Sequence, residues 1–332
     1  MQRAALSLGN AAKTRPGFLP LVLAFLYALL MVAVPWESVT GQEFLDKEVY
    51  LHTFEQGVPL AEEQGIQSVR EFIFYEVLWD VSVRWVSEAT GIEPRDVLLS
   101  VSFICFFIYA KYVFERHGVF LCILFLLNPI LIDFAMAQLR MALAAALLLV
   151  ALESKVFSWR ISLVFLAFCI HTATAIFIMV YFVASWVGSL LADRRLSTDG
   201  AILLLIAFGL AIILAIGPIR PLILGYLGDR RQEYEPAASS LLYGTFWMAF
   251  IVFQVVQPKK YFLDKVNLYS LVMVSVFIFS IFFGVYGSRF IAVSFPLLLS
   301  SMLAVKKGQR PALLSLFALY QAVQWFYWTS QA

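Results

Sequence analysis

The sequence predicts an all-α bundle of transmembrane helices, and three observations carry that prediction. Of its 332 residues 62% are hydrophobic and only 14% are charged, a balance that excludes a soluble enzyme built around one large core. The apolar residues gather into runs close to the ~20 residues that a helix needs to cross a bilayer. Aromatic residues are abundant, with 31 Phe, 14 Tyr and 8 Trp, as expected where side chains sit at lipid and headgroup level. The three cysteines, Cys105, Cys122 and Cys169, lie in apolar runs without a CxxC spacing. They read as small buried residues, and neither a disulfide framework nor a zinc site is expected.

Taken in order, the apolar run Phe18–Val34 follows Arg3, Lys13 and Arg15 and precedes PWES. No small-x-small cleavage pattern is present, so the run reads as an uncleaved first span. Residues 36–96 are too polar to cross. Further spans are expected near 97–114, 118–135, 136–153, 156–172, 173–192, 200–217, 240–257, 266–285, 289–305 and 311–328, about eleven in all, within a single integral membrane domain covering 1–332. The long apolar stretch 161–191 around His171 reads either as one tilted span or as a tight hairpin, and the sorting of charge decides between them. With a hairpin, the N-terminus and segments 111–118, 153–160, 193–199, 257–265 and 306–310 share one side, holding 15 Lys and Arg against 5 acids. The remainder holds 9 Lys and Arg against 17 acids. The basic side is cytoplasmic by the positive-inside rule, so Arg140, His171, Arg220, Arg230, Arg231 and Arg289 fall at or near the outer face.

The outer segment 36–96 carries 13 acids and 4 bases. Ser68 and Glu71 form a capping box, and Phe72, Tyr75/Glu76, Trp79, Val83 and Val86 recur at helical spacing up to Gly91, a residue suited to a C-terminal cap. An amphipathic helix is expected there, lying on the outer leaflet or folding back over the bundle. Glu71, Glu76 and Asp46 are its candidate general bases, against the plainer reading of a solvated acidic face. Arg140 is the sharper candidate. The uninterrupted apolar run after it, Met141–Leu152, is too short to span, so the helix begins earlier and carries the guanidinium into the outer half of the membrane or a cavity there. Snorkelling to the headgroups is the plainer alternative. His171 ends a similarly short run, and a polar residue satisfied at a hairpin turn is its alternative. In the outer loop 217–240, Arg230 and Arg231 beside Tyr226 and Tyr234 suit a phosphate and a sugar ring, or else pair internally with Asp229, Glu233 and Glu235. Arg289 opens a span where the helix N-terminus already favours an anion.

The sequence contains no P-loop, GxGxxG, HExxH or Asp-x-Asp pair, which disfavours nucleotide hydrolysis and metal-dependent nucleotide-sugar chemistry. No metal and no cofactor is expected. Asp133 is the only acid well inside a candidate helix end, which weakens the reading as an ion-coupled transporter.

At these residues the chain resembles the EpsG-type, Wzy-like polysaccharide polymerases of bacterial inner membranes. Asp46-x-x-x-Tyr50 resembles that family's Asp/Tyr element, and Glu71-Phe-Ile-Phe-Tyr-Glu76-Val-Leu-Trp its acidic-aromatic helix. Gln138-Leu-Arg140 before MALAAALLLVAL resembles its arginine helix, and Phe168-Cys-Ile-His171-Thr-Ala-Thr-Ala its Phe-His-x-Ser-Ala element. Arg231-x-x-Tyr234 and Ser288-Arg289-Phe290 resemble its later Tyr/Arg motifs. The pieces arrive in order between about residues 40 and 300. Two departures stand out: the Arg-x-Gly that usually precedes the Asp/Tyr element is missing, and threonines replace serines after His171.

The resemblance implies a fold like that of class C glycosyltransferases and a metal-independent glycosyl transfer. A glycan would pass from one undecaprenyl-diphosphate carrier to the sugar of another lipid-linked repeat unit at the periplasmic face. Arg140 and Arg289 would hold the diphosphate leaving group, with His171 near the acceptor or the phosphate and Glu71 and Asp46 as base candidates. Tyr50, Glu76, Gln138, Arg230, Arg231 and Tyr234 would bind substrate. Membrane lipid, a chain-length regulator and a flippase are the implied partners, and no nucleic acid is. An O-antigen ligase-like transferase, or a lipid or polysaccharide transporter, remains the alternative.

Overall fold

The computed structural model describes residues 17–55, 72–73, 76–220 and 241–330, and among these every regular element is a helix. The described backbone divides into two compact units, one within 17–178 with 321–330 and the other within 179–320.

The first unit opens with α1 (Phe18–Ala33), the short α2 (Trp36–Thr40) and α3 (Leu45–Glu55), followed by α4 (Val77–Thr90) and α5 (Pro94–His117). Local chemistry sets their ends. Gly91 closes α4 in the left-handed region at φ 70°, its N–H donating to the Ser87 carbonyl, a conformation that costs glycine little. Pro94 starts α5 at a position where its missing N–H is harmless. The capping box at Ser68–Glu71 lies outside the described residues. The regular helix begins at Val77, behind Glu76 in a left-handed conformation. From α4, Trp79 and Val83 are buried in a core that includes Phe54, Val97, Leu98, Leu139, Ala144, Ala167 and Ile170.

After α5 come α6 (Val119–Leu126), α7 (Pro129–Met136), α8 (Leu139–Glu153) and α9 (Phe157–Ile170), then α10 (Thr174–Ala192). The spans expected near 118–135 and 136–153 are not continuous helices. The first is broken at Leu127–Asn128 into two helices of 8 residues each. Asn128 caps α7 by accepting from the Ile130 N–H at 3.0 Å, while Pro129 denies α-helical geometry to the residue before it. The second is joined to α7 through a 106° bend at Ala137–Gln138. The Glu153 carboxylate at the end of α8 pairs with Lys111 and Arg116 at the end of α5. The two C-terminal ends therefore coincide, and residues 118–138 must carry the chain back along α5.

The broken stretch is sealed by the end of α16 (Arg310–Thr329). Gln321 Nε2 donates to the Leu124 and Leu127 carbonyls at 2.7 Å each, Trp325 Nε1 to Leu127 at 2.9 Å, and Asn128 Nδ2 to Gln324 Oε1 at 3.1 Å. Carbonyls freed at membrane depth require such partners. Trp36 packs its ring against Trp325 and Trp328 beside them.

The second unit takes most of α10 and the first half of α16, together with α11 (Thr198–Ile216), α12 (Leu241–Val255), the short α13 (Lys259–Phe262), α14 (Lys265–Phe282) and α15 (Ser288–Ala304). Ser197 and Asp264 cap α11 and α14 through their side chains. Gly209 lets α11 approach α14 closely, since a Cβ there would meet Ser275 Cβ at 2.9 Å. Gln254 Nε2 contacts the hydroxyls of Ser270 (2.9 Å) and Ser301 (3.3 Å) in a buried polar group that includes Tyr261.

Among the described residues, four helices, Pro94–His117, Thr174–Ala192, Thr198–Ile216 and Lys265–Phe282, are long and apolar enough to cross a membrane, or up to five spans if the bent α7–α8 pair is one. Phe18–Ala33, Phe157–Ile170, Tyr243–Val255 and Ser288–Ala304 are apolar but shorter. The stretch 161–191 is two helices that part at His171–Ala173.

Candidate functional site

Two local features bring the site together. The connector Ser154–Val156 is too short for anything but an antiparallel helix pair, and α8 and α9 pack side by side. The first turn of α8 and the last of α9 therefore share one end, and with them Arg140 and the C-cap residue His171. Then α3 and α4 fold over that end, contributing Tyr50 and Glu76.

Glu76 is the hub. Its Oε2 lies 3.0 Å from Arg140 Nη1. Its Oε1 accepts from the Thr172 amide at 3.0 Å and from Thr172 Oγ1 at 3.1 Å. His171 Nδ1 comes within 2.7 Å of the same oxygen, outside hydrogen-bond alignment. Among the described residues the buried His171 Nε2 has no hydrogen-bond partner. Arg140 Nε donates to Tyr50 Oη at 3.2 Å, and the guanidinium lies 5.1 Å from the centre of the Tyr50 ring. That ring rests in turn on Trp79, with centroids 5.7 Å apart.

The electrostatics follow from these contacts. Burial alone pushes the Glu76 carboxyl up, but His171, Arg140 and the Thr172 amide together hold it below its ordinary value. Glu76 is therefore an anion at neutral pH. Burial raises the Tyr50 phenol, Arg140 opposes that rise, and Asp46 and Glu76 add to it, so Tyr50 keeps its proton. Arg140 is the open member of its pair, with 31% of its side chain exposed against 11% for Glu76. The backbone at Glu76 is at φ 58°, ψ 33°, an unusual place for a residue with a side chain, costing on the order of 1–3 kcal/mol. Two hydrogen bonds from Thr172 and the ion pair with Arg140 offset that cost.

Of the residues singled out in the sequence, Arg140, His171, Glu76 and Tyr50 converge here. Asp46 sits one turn before Tyr50 on α3 and acts on the group through its charge. Gln138 stands at the α7–α8 bend, buried, with its Oε1 unpartnered among the described residues. Arg289 opens α15 in the second unit, 5.1 Å from the Tyr286 ring. Glu71, Arg230, Arg231 and Tyr234 lie outside the described residues. Among the described residues no three His, Cys, Asp or Glu side chains gather as metal ligands. Thr172 was not anticipated: only its place directly after His171 could have pointed to it. Chemically, the cluster offers an exposed guanidinium for an anion and an imidazole set against a carboxylate for a proton. No protein-family model, curated protein or solved structure matches this chain.

Proposed function

We propose that the chain is a bacterial inner-membrane polysaccharide polymerase that joins undecaprenyl-diphosphate-linked repeat units at the periplasmic face. One observation carries the reading: a partly exposed guanidinium, Arg140, stands at the edge of a bent apolar helix pair, beside an imidazole whose Nε2 has no hydrogen-bond partner among the described residues. The guanidinium now pairs with the Glu76 carboxylate, and a lipid diphosphate carries more charge and can be held by arginine bidentately. In the reaction the anomeric C–O bond breaks and its electron pair goes to the diphosphate oxygen. The acceptor hydroxyl forms the new glycosidic bond and gives up its proton. Arg140 stabilises the charge that develops on the diphosphate. His171 Nε2, with Glu76 against the other ring nitrogen, takes the proton. Arg289, at a helix N-terminus that favours an anion, and the arginines of the 217–240 loop are assigned to the same chemistry by residue type and family resemblance, and a place beside a flippase and a chain-length regulator by the resemblance alone.

The topology proposed with this function has a cytoplasmic N-terminus and up to eleven crossings, with the broken 118–138 stretch counted as a return. The pairing of Lys111 and Arg116 with Glu153 supports it, since both segments were assigned to the cytoplasmic side. Purified protein given undecaprenyl-diphosphate repeat units should yield a ladder of products without added nucleotide sugar or metal. In cells, Arg140→Ala and His171→Ala should each abolish long glycans while leaving protein abundance near normal. Full-length polymer from both variants would sink the assignment.

A further inference from the structure

We infer that the Glu76 carboxylate is an internal occupant of an anion site built by Arg140, His171 and Thr172, and that a diphosphate ligand enters by taking Arg140 from it. The source of the diphosphate rests on the reading of function above; the anion chemistry does not. A guanidinium, an imidazole, a backbone amide and a hydroxyl converge on one carboxylate, and these are the donor types that recognise phosphate oxygens. Thr172 supplies two of them.

The way the carboxylate arrives supports exchange over a permanent pair. Glu76 reaches the donors only from a left-handed backbone conformation, so strain opposes the contacts that hold it. Its two oxygens are also unequally held. Oε1 has Thr172 twice and His171, whereas Arg140 is the partner of Oε2. A diphosphate can therefore claim the exposed guanidinium, bidentately and with more charge than a carboxylate, while Oε1 keeps its partners. A ligand moves such an equilibrium only through its greater affinity for the opened state, so weakening the internal pair must tighten ligand binding.

The test is direct binding to the purified full-length protein in detergent at fixed low salt, because charge contacts are screened. Inorganic pyrophosphate is one titrant and farnesyl diphosphate the other. Wild type is compared with Glu76→Gln, Glu76→Asp and Arg140→Ala, each checked for cooperative unfolding. Glu76→Gln is expected to bind pyrophosphate about 10-fold more tightly than wild type. Glu76→Asp, whose shorter carboxylate cannot span Thr172 and Arg140 together, should gain less, and Arg140→Ala should lose binding. If no folded Glu76 variant binds more tightly than wild type, the inference is overturned; where Glu76→Gln fails to fold, Glu76→Asp decides. Equal affinity for both titrants identifies the diphosphate itself as the recognised group, a farnesyl preference identifies a lipid carrier, and both support the site. A protein that shows this exchange yet makes no polymer keeps the anion site and sinks the polymerase reading alone.

Discussion

At Glu76, burial and charge act in opposite directions, and charge prevails. The folded carboxyl therefore titrates below its unfolded value of ~4.3, and its ionised form contributes stability above that value that is lost as pH falls through the lower, folded one. Glu76→Gln removes that contribution. The gap in unfolding temperature between wild type and Glu76→Gln should be widest near neutral pH and narrow as the pH drops below about 4, which a thermal scan from pH 7 to 3 would measure. Thr172→Val, which keeps the amide but removes one of two hydrogen bonds, should cost on the order of 1 kcal/mol in the same assay. Arg140 and His171 were legible in the sequence because they interrupt apolar runs. Thr172 was not, since a backbone amide leaves no trace in hydropathy and its hydroxyl little. The helical spacing of Phe72, Tyr75 and Trp79 also concealed the left-handed turn at Glu76, because periodicity records which side chains face inward and not where φ changes sign.

Among the helices, what holds α3 over the site is a clamp from α4. Arg84 Nε pairs with the buried Asp80 at 3.1 Å, and its Nη2 donates to the Thr53 carbonyl at 2.9 Å, with the guanidinium 5.4 Å from the Phe54 ring. Arg84→Ala should destabilise the protein by on the order of 1.5–3 kcal/mol, since it removes a charge-assisted hydrogen bond to a buried carboxylate. Combining it with Asp80→Asn should cost less than the sum of the two, a non-additivity that a double-mutant cycle reads. In the other unit, Gly209→Leu should force α11 away from α14 and lower the unfolding temperature, because the Cβ alone would already meet Ser275 and the α14 backbone. The apolar runs showed where most helices lie, and Gly91 showed where α4 stops. They did not show the 106° bend, because length and composition carry no direction. The Asn128-Pro129 pair was the available signal for the break that precedes it.

At the scale of the whole molecule, charge sorting and structure meet in one expectation about sidedness. A single cysteine at Leu45, 72% exposed on α3, should be labelled by an impermeant reagent from the periplasm, and one at Lys155 only after the membrane is opened. Labelling of the Leu45 position from the cytoplasm would reverse the orientation. The N-terminal unit is also made from both ends of the chain, because Gln321, Gln324 and Trp325 seal the gap between α6 and α7. Deleting residues 321–332 should therefore leave that unit sensitive to protease even though residues 17–178 are all present. The arrangement also has a consequence for biogenesis. Asn128 and Gln324 are 196 residues apart, and a ribosome adding about 5–20 residues per second needs roughly 10–40 s to supply the second after the first. For that interval the newborn break lies in the bilayer without its seal, so the first half of the protein cannot mature ahead of the last helix.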